Sequence, residues 1–379
     1  MIKLHRYNQA KSAGSDQLRS IKEENTRMMI LKRNCMMKTN RWIPVLLLLM
    51  ILLLAGCGSA AGPDGSMSAD ESAISEETAP PSPEPEEPYA FNPHLYSPLL
   101  SKYYPQEWWD SLYHLCDALR EGRDTFACAS QEIYDWCTDS VTLAHLFPAA
   151  SVVVTGESSD GSVPYENGIG RIYYSIPPEE FVVRQAEFET LIENILNNFL
   201  EPDDTEFEKS LKLYAYMAAN YTYGDVMVDG EGFTYTTLTT GQGVCENLSA
   251  VYAYLLLQAG VDAINLGCFD SVDHAWTYMI VDGEGYHTDP TFALHGPREP
   301  LYLTYFLNTE EERIEQGMVM DDLTAAMIPG YWLSYTETTL PAASEKYARL
   351  HWNEFVSLDE EQKILYYDDA QGIQAFKYE

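Results

Sequence analysis

Residues 241–290 read GQGVCENLSAVYAYLLLQAGVDAINLGCFDSVDHAWTYMIVDGEGYHTDP. Apolar residues recur in the first half of this stretch at intervals of three or four: Val244, Leu248, Val251 and Leu255. That spacing predicts a helix that begins at Cys245. We expect the helix to end at Gly260, because glycine readily adopts the left-handed conformation that follows a helix.

Two segments with strand character follow this helix. The turn sequence Asp-Gly-Glu-Gly at 282–285 separates them and predicts a hairpin. The first segment carries His274, and the second brings Asp289 to a position just before Pro290. The predicted fold class is therefore α+β, with a cysteine-bearing helix packed on an antiparallel sheet that bears the histidine and the aspartate.

Cysteine, histidine and aspartate together suit acyl transfer through sulfur. A thiol is a weak nucleophile until it ionises, and both a helix N-terminus and a nearby imidazolium favour the thiolate. An imidazole within reach can take and return the proton, while a carboxylate on its other nitrogen fixes its tautomer and orientation. Glycines at 241 and 243 allow a tight turn into the helix and leave room for a substrate chain.

The order of these residues resembles the transglutaminase-like superfamily, whose members share a papain-like core. The motifs that match are Gly243-Val244-Cys245, His274-Ala275-Trp276 and the segment 286–291, with a similar lead-in at 221–223 and 237–238. The resemblance covers roughly residues 207–295. It implies a Cys245, His274 and Asp289 triad that acts on peptide or glutamine amide bonds through a thioester. Water would give hydrolysis and an amine would give transamidation, and the sequence leaves both open.

Each of these residues also has an ordinary structural interpretation. Cys245 could be a buried cysteine at a helix start, and Cys268 is the competing nucleophile. His287 lies two residues before Asp289, on the same side of a strand, and is a rival orienting residue or base. Asp289 alone would be read as the start of a turn before proline. The combined spacing favours the triad.

The resemblance and the chemistry also suggest supporting residues. An oxyanion needs hydrogen-bond donors, and the Cys245 backbone N–H can supply one from the helix N-terminus. Tyr223 and Gln242 are the candidates for the second donor. Trp276 is expected to pack behind the imidazole, and Gly243 is expected to support the turn into the helix.

The first 90 residues read as targeting and spacer sequence. Ile43–Leu54 is an apolar run too short to span a bilayer, which needs about 20 residues, and is typical of a signal peptide. The following Leu-Ala-Gly-Cys resembles a bacterial lipobox, which implies removal of residues 1–56 and lipidation of Cys57 at the extracytoplasmic face of the cell membrane. Met37 is an alternative start, and a plain membrane anchor is the alternative interpretation. Residues 57–90 are rich in Pro, Glu and Ser and predict a disordered tether.

The remaining chain is expected to have three parts, of which the resemblance defines the central one. Residues 91–204 form a mainly helical amino-terminal domain, 205–310 the transglutaminase-like domain, and 311–379 an extension that packs on the core. Helices are predicted near 108–122, 130–137, 179–200, 206–220 and 344–356, with a further acidic helix start near Thr309. Strands are predicted at 152–154, 169–175 and as a pair within 364–378.

Composition limits the classes of partner. With 58 acidic and 23 basic residues, the net charge is −35, which argues against a nucleic-acid role because phosphate contacts need lysine and arginine. A protein or peptide substrate remains, and the oligomeric state is left open. Cys116, Cys128 and Cys137 lack metal-ligand spacing and are interpreted as buried thiols, with one disulfide among them as the alternative. No metal site or cofactor is indicated. The competing function is a catalytically silent surface module that keeps the fold and binds protein or cell-wall material.

Overall fold

Apolar spacing and capping residues set the order of elements along the chain. The computed structural model describes residues 88–155, 162–224, 233–268, 271–296, 299–320, 323–328 and 340–379. Its α-helices are α1 (Gln106–Arg120), α2 (Gln131–Thr138), α3 (Ser140–Leu146), α4 (Pro148–Ser151), α5 (Pro178–Phe199), α6 (Glu206–Asn220), α7 (Phe233–Thr240), α8 (Cys245–Gln258), α9 (Pro290–Ala293) and α10 (Glu310–Glu315). Short 3-10 helices lie at Leu100–Lys102 and Ala348–Leu350.

The strands are short outside the centre of the fold. They are β1 (Thr125–Ala127), β2 (Val154–Thr155), β3 (Tyr165–Glu166), β4 (Ile169–Arg171), β5 (Tyr173–Tyr174), β6 (Thr222–Tyr223), β7 (Gln242–Gly243), β8 (Ala263–Cys268), β9 (His274–Val281), β10 (Glu284–Thr288), β11 (Glu354–Asp359), β12 (Ile364–Asp368) and β13 (Ile373–Lys377). Three-stranded antiparallel sheets have the orders β1-β4-β3, β10-β9-β8 and β11-β12-β13.

Capping side chains begin two of the helices where the sequence predicted them. The Ser130 hydroxyl accepts the Ile133 N–H at 3.2 Å at the start of α2. At the start of α6, the Thr205 hydroxyl accepts the Glu208 N–H at 3.2 Å, and Glu208 accepts the Thr205 N–H at 2.7 Å. These side chains satisfy backbone donors that have no partner inside the helix. The predicted helix starts at 130 and 206 are confirmed.

Helix α8 and the sheet β10-β9-β8 form the centre of the fold. Every residue of α8 from Asn247 to Gln258 is buried, as is every residue of β8. The Thr277 hydroxyl on β9 donates to the Ser249 carbonyl of α8 at 2.9 Å, and Asn265 on β8 donates to the Ser249 hydroxyl at 2.7 Å. Gly260 follows α8 with φ +84°, as its predicted role requires. The helix on an antiparallel sheet confirms the predicted fold class.

The carboxy-terminal prediction of a helix over 344–356 is wrong. Only Ala348–Leu350 is helical, as one 3-10 turn, and β11 begins at Glu354. Trp352 has φ +66°, which a continuing α-helix does not permit, and the Phe355 N–H donates to the Leu301 carbonyl at 2.7 Å. Pairing with β12 and with residue 301 therefore overrides the apolar spacing of this segment. The strand pair predicted within 364–378 is confirmed as β12 and β13.

Short strands replace the longer ones predicted in the amino-terminal part. The predicted strand 169–175 is divided into β4 and β5 at Ile172, whose N–H donates to the Asp124 carbonyl at 2.8 Å. The predicted strand 152–154 begins only at Val154.

One hydrophobic core extends through residues on both sides of the predicted boundary at 204 and 205. It includes Leu196 before this boundary and Phe207 after it, both nearly without exposure. The domain limits at 91–204, 205–310 and 311–379 stay predictions. Among the residues that the structure describes, no helix is long and apolar enough to cross a bilayer. The predicted signal peptide, Cys57 and the tether up to residue 87 lie outside the described residues.

Candidate active site

Cys245 is the first residue of α8 and follows a tightly packed segment of backbone at residues 241–244. Strand β7 pairs in parallel with β6, and Gly241 just before β7 has φ +71°. At Gly243 a β-carbon would lie 2.8 Å from the Asn247 β-carbon, so only glycine fits this close approach. The Val244 N–H donates to the Asn247 side chain at 3.0 Å, which fixes the helix start. Cys245 is left half-buried at a helix N-terminus.

His274 is the first residue of β9 and is 3% exposed. Its Nε2 lies 2.7 Å from Oδ2 of Asp289. The Phe292 ring stacks on the imidazole, with centroids 4.7 Å apart and planes at 26°. The carboxylate and the aromatic ring together fix the imidazole, and the bond at Nε2 leaves Nδ1 as the nitrogen that can exchange a proton with sulfur.

Asp289 lies at the end of β10 and is fully buried. Its Oδ1 accepts the Thr291 N–H at 3.1 Å at the start of α9, so it does begin a turn before proline, as its ordinary interpretation supposes. Its backbone N–H donates to the Tyr305 carbonyl at 2.8 Å. The second carboxylate oxygen is directed at His274, so the residue serves the turn and the imidazole at once.

Charge interactions outweigh burial at His274 and at Asp289. Burial by itself lowers the pKa of His274, but the charge of Asp289, the hydrogen bond to it and the interaction with Cys245 raise the pKa to about 9. Burial raises the pKa of Asp289, but the charges of His274 and Arg313 outweigh burial and hold the pKa below its usual value. A carboxylate that carries its charge beside a readily protonated imidazole is what proton transfer with a thiol needs.

These shifts predict a fall in stability on the alkaline side. The pKa of His274 in the folded protein, about 9, is above its usual value near 6.5. The stabilisation from this residue is therefore complete below about pH 6.5 and is lost as the pH rises through 9. We expect the free energy of unfolding, measured with denaturant between pH 6 and 9.5, to decline more in the wild-type protein than in His274→Gln. Parallel curves for the two proteins would contradict this.

His287 does not compete for the role of base. It is fully buried, and its Nδ1 accepts the Trp276 indole N–H at 3.0 Å. Burial and the charge of Arg313 lower its pKa to about 3, so the ring is neutral at physiological pH. Its backbone pairs with Asn308 through bonds of 2.9 and 2.7 Å, which extends β10 sideways. His287 thus supports Trp276 and a neighbouring segment of the chain.

Trp276 is less close to the imidazole than Phe292. Its ring centroid lies 6.2 Å from that of His274, at an interplanar angle of 26°. The Arg313 guanidinium lies over the indole at 4.7 Å from its centroid. Trp276 therefore contacts Arg313 closely, while Phe292, which the sequence did not single out, is the nearer aromatic neighbour of the imidazole.

Arg313 is the site residue that the sequence did not reveal. It lies on α10, is fully buried, and donates from Nη2 to Oδ2 of Asp289 at 2.8 Å. The acidic helix start near Thr309 was predicted, and its capping box is present. A six-residue helix with five charged side chains, however, has no apolar stripe to show which of them faces inward. The one sequence feature that could have indicated the buried position was that Arg313 is the only basic residue among the glutamates of this helix.

The oxyanion candidates lie on the strand pair that leads into Cys245. Thr222 is paired with Gln242, and Tyr223 with Gly243. The Gln242 side chain lies beside Gly224, where a β-carbon would be 2.3 Å from its amide nitrogen. Both candidates are half-buried and close in sequence to the nucleophile. Their role as donors stays a prediction.

The other described cysteines have different surroundings. Cys268 is opposite His274 in the β8–β9 ladder and is fully buried. Cys116, Cys128 and Cys137 are buried free thiols, which agrees with the first interpretation of their spacing. Within the described part of the chain, no cluster of three or more His, Cys, Asp or Glu residues has a geometry that could hold a metal ion.

A family model described as the transglutaminase-like superfamily matches residues 193–290. These residues form a transglutaminase-like core. The core contains Cys245, His274 and Asp289, whereas Arg313 lies beyond its end. No curated protein matches the chain.

One similar solved structure comes from Cytophaga hutchinsonii and is described as a "putative cysteine protease". It shares 17% sequence identity over 28% of this chain and 38% of its own length, with a TM-score of 0.24. The match thus spans well under half of that protein.

Proposed function

We propose that this protein is a cysteine enzyme that transfers acyl groups from peptide or glutamine amides through a thioester on Cys245. The observation that carries the proposal is the buried imidazole of His274, which is held on Asp289 at 2.7 Å and whose pKa is raised by Asp289 and by Cys245. With the carboxylate on Nε2, the imidazole presents Nδ1 as the nitrogen that can take the thiol proton. Nucleophilic catalysis needs this order of groups.

The reaction has two steps. The Cys245 sulfur attacks the amide carbonyl carbon and a C–S bond forms, while His274 holds the thiol proton. His274 then gives this proton to the leaving amine as the C–N bond breaks, which leaves a thioester. In the second step water or an amine attacks the thioester, His274 takes its proton, and the sulfur leaves with that proton. Asp289 keeps its charge and stabilises the imidazolium in both steps.

The start of α8 supports the negative charge that forms on the carbonyl oxygen. The N–H of the first helical residue has no partner within its helix, and the helix dipole is positive at this end. Gln242 on β7, three residues before Cys245, is our candidate for the second hydrogen-bond donor. Donors fixed before the reaction stabilise the oxyanion without reorganisation.

We also propose an extracytoplasmic, lipid-anchored location, supported by the apolar run Ile43–Leu54 and the lipobox that ends at Cys57. The excess of acidic residues suits solubility at a cell surface. The substrate would be a protein or peptide outside the cytoplasm. A palmitate-labelling assay in a bacterial host tests the anchor, since Cys57→Ser should lose the label.

The experiment for the enzyme proposal traps the thioester. A peptide-amide library is incubated with the protein and hydroxylamine, which intercepts an acyl-enzyme to give a hydroxamate, and mass spectrometry reads the products. We expect hydroxamates with the wild-type protein and none with Cys245→Ser. Replacing hydroxylamine with a primary amine or with water alone separates transamidation from hydrolysis. No product in any arm, with equal iodoacetamide labelling of residue 245 in wild type and His274→Ala, would favour the silent binding module.

A further inference from the structure

The charge balance of the candidate site depends on a residue outside the transglutaminase-like core. Asp289 is fully buried, and a single oxygen, Oδ2, accepts bonds from both His274 at 2.7 Å and Arg313 at 2.8 Å. An ionised carboxylate without exposure needs a compensating charge. When the imidazole is neutral, during the proton transfer that the proposed reaction requires, Arg313 is the partner that keeps its charge.

Arg313 is itself fixed in one position. Its Nη1 donates to the Gln316 side chain at 2.7 Å, and its guanidinium lies over the Trp276 ring. Gln316 in turn donates to the Thr304 carbonyl and to Asn308, each at 3.3 Å. A guanidinium that is held by Gln316 at Nη1 and by the Trp276 ring on its face can orient the carboxylate that it contacts through Nη2.

Helix α10, which carries Arg313, is anchored from both of its sides. The Glu312 carboxylate accepts the Thr309 backbone N–H and lies 2.6 Å from Nδ1 of His351. The other ring nitrogen of His351, Nε2, lies 2.8 Å from the Phe306 carbonyl oxygen. Both ring nitrogens of His351 thus face acceptors. Asn308, just before the helix, pairs with His287 on β10. The segment after residue 300 is thereby joined to the strand that ends at Asp289.

We infer that Arg313 is a positioning residue of the candidate active site: it fixes the Asp289 carboxylate so that the His274 ring is held toward Cys245. This inference rests on the proposed function, because it gives Arg313 its purpose through Cys245. It extends the site beyond residue 290, where the family match ends. The carboxy-terminal segment therefore contributes to the chemistry as well as to packing.

The other titratable groups that face Asp289 and Arg313 stay neutral near pH 7. Tyr214 on α6 and Tyr305 have pKa values raised by burial and by the charge of Asp289. His287 is neutral because its pKa is lowered to about 3. Among the described residues around Asp289, charge is therefore carried by His274, Asp289 and Arg313, with Cys245 as the group that reacts.

The test measures the rate of Cys245 alkylation by iodoacetamide as a function of pH, which needs no substrate. In Arg313→Gln we expect the midpoint of the rate profile to move to higher pH by about one unit, because loss of a buried positive charge disfavours the thiolate. Arg313→Lys keeps the charge but not the planar fork, so its midpoint should move by less than about half a unit from wild type. The matched control is Glu312→Gln on the same helix, which weakens the cap and the His351 contact but leaves the Arg313 side chain intact.

A purely structural role would lower the thermal midpoint of all these variants and leave every pH profile in place. A profile of folded Arg313→Gln that superimposes on wild type overturns the inference, as does a shift in Glu312→Gln equal to that in Arg313→Gln. If Arg313→Gln does not fold, Arg313→Lys decides: a shift above half a unit overturns the inference, and an unshifted midpoint supports it. Because alkylation is read without turnover, these outcomes are separate from a failure to find hydroxamates.

Discussion

Replacing His274 with alanine should lower acyl-transfer activity by a factor on the order of 10⁴ to 10⁶, the range found when one member of a catalytic triad is removed. In the proposed reaction the imidazole holds and returns the proton, with Nε2 on Asp289. Without it the thiol keeps its proton and the leaving amine receives none. The measurement is hydroxamate formation from the best peptide amide, with wild type and variant at equal concentration.

His287→Gln is the matched control for this prediction. His287 is also a fully buried histidine, on the neighbouring strand, but it accepts a bond from Trp276 and is uncharged. Its replacement should lower activity less than about tenfold, which corresponds to about 1.4 kcal/mol in the activation barrier. Equal losses in the two variants would mean that the site needs an intact sheet and no particular base.

Replacing Asp289 with alanine should destabilise the fold by about 3–5 kcal/mol, because it leaves the fully buried guanidinium of Arg313 without a counter-charge. His274 loses its partner in the same change, and the Thr291 N–H loses its acceptor. For a folded unit of this size the loss corresponds to a fall of the melting temperature by roughly 10 °C. Calorimetry at pH 7 measures it.

The double variant Asp289→Ala with Arg313→Met is the control for this effect. Removing both members of a buried ion pair is far less costly than removing one, so the double variant should recover much of the lost stability. It should remain inactive, since His274 then has no carboxylate. If the stability lost in the double variant equals the sum of the losses in Asp289→Ala and in Arg313→Met, the two residues are not coupled. That result would contradict the geometry of the pair.

Local sequence patterns were sufficient for helices α2, α6 and α8 and for the motif. The spacing before Gly260, the capping box at Thr205 and Glu208, and the Ser130 cap are interactions within a few residues, so the sequence records them directly. The residues of the candidate triad could be singled out because they lie at recognisable positions beside glycine, tryptophan and proline. For the same reason the family resemblance was visible over roughly residues 207–295, and the family model matches residues 193–290.

Contacts between distant parts of the chain decided the rest. Phe292 covers the imidazole because α9 turns back over β9, and Arg313 reaches Asp289 because Asn308 pairs with His287. Neither is recorded in the spacing of nearby residues. The same holds for residues 344–356, where pairing with the segment at Leu301 produced a strand in place of a helix. The sequence alone thus determined the candidates Cys245, His274 and Asp289, whereas only tertiary packing brought in the buried guanidinium of Arg313, because its place depends on long-range charge compensation.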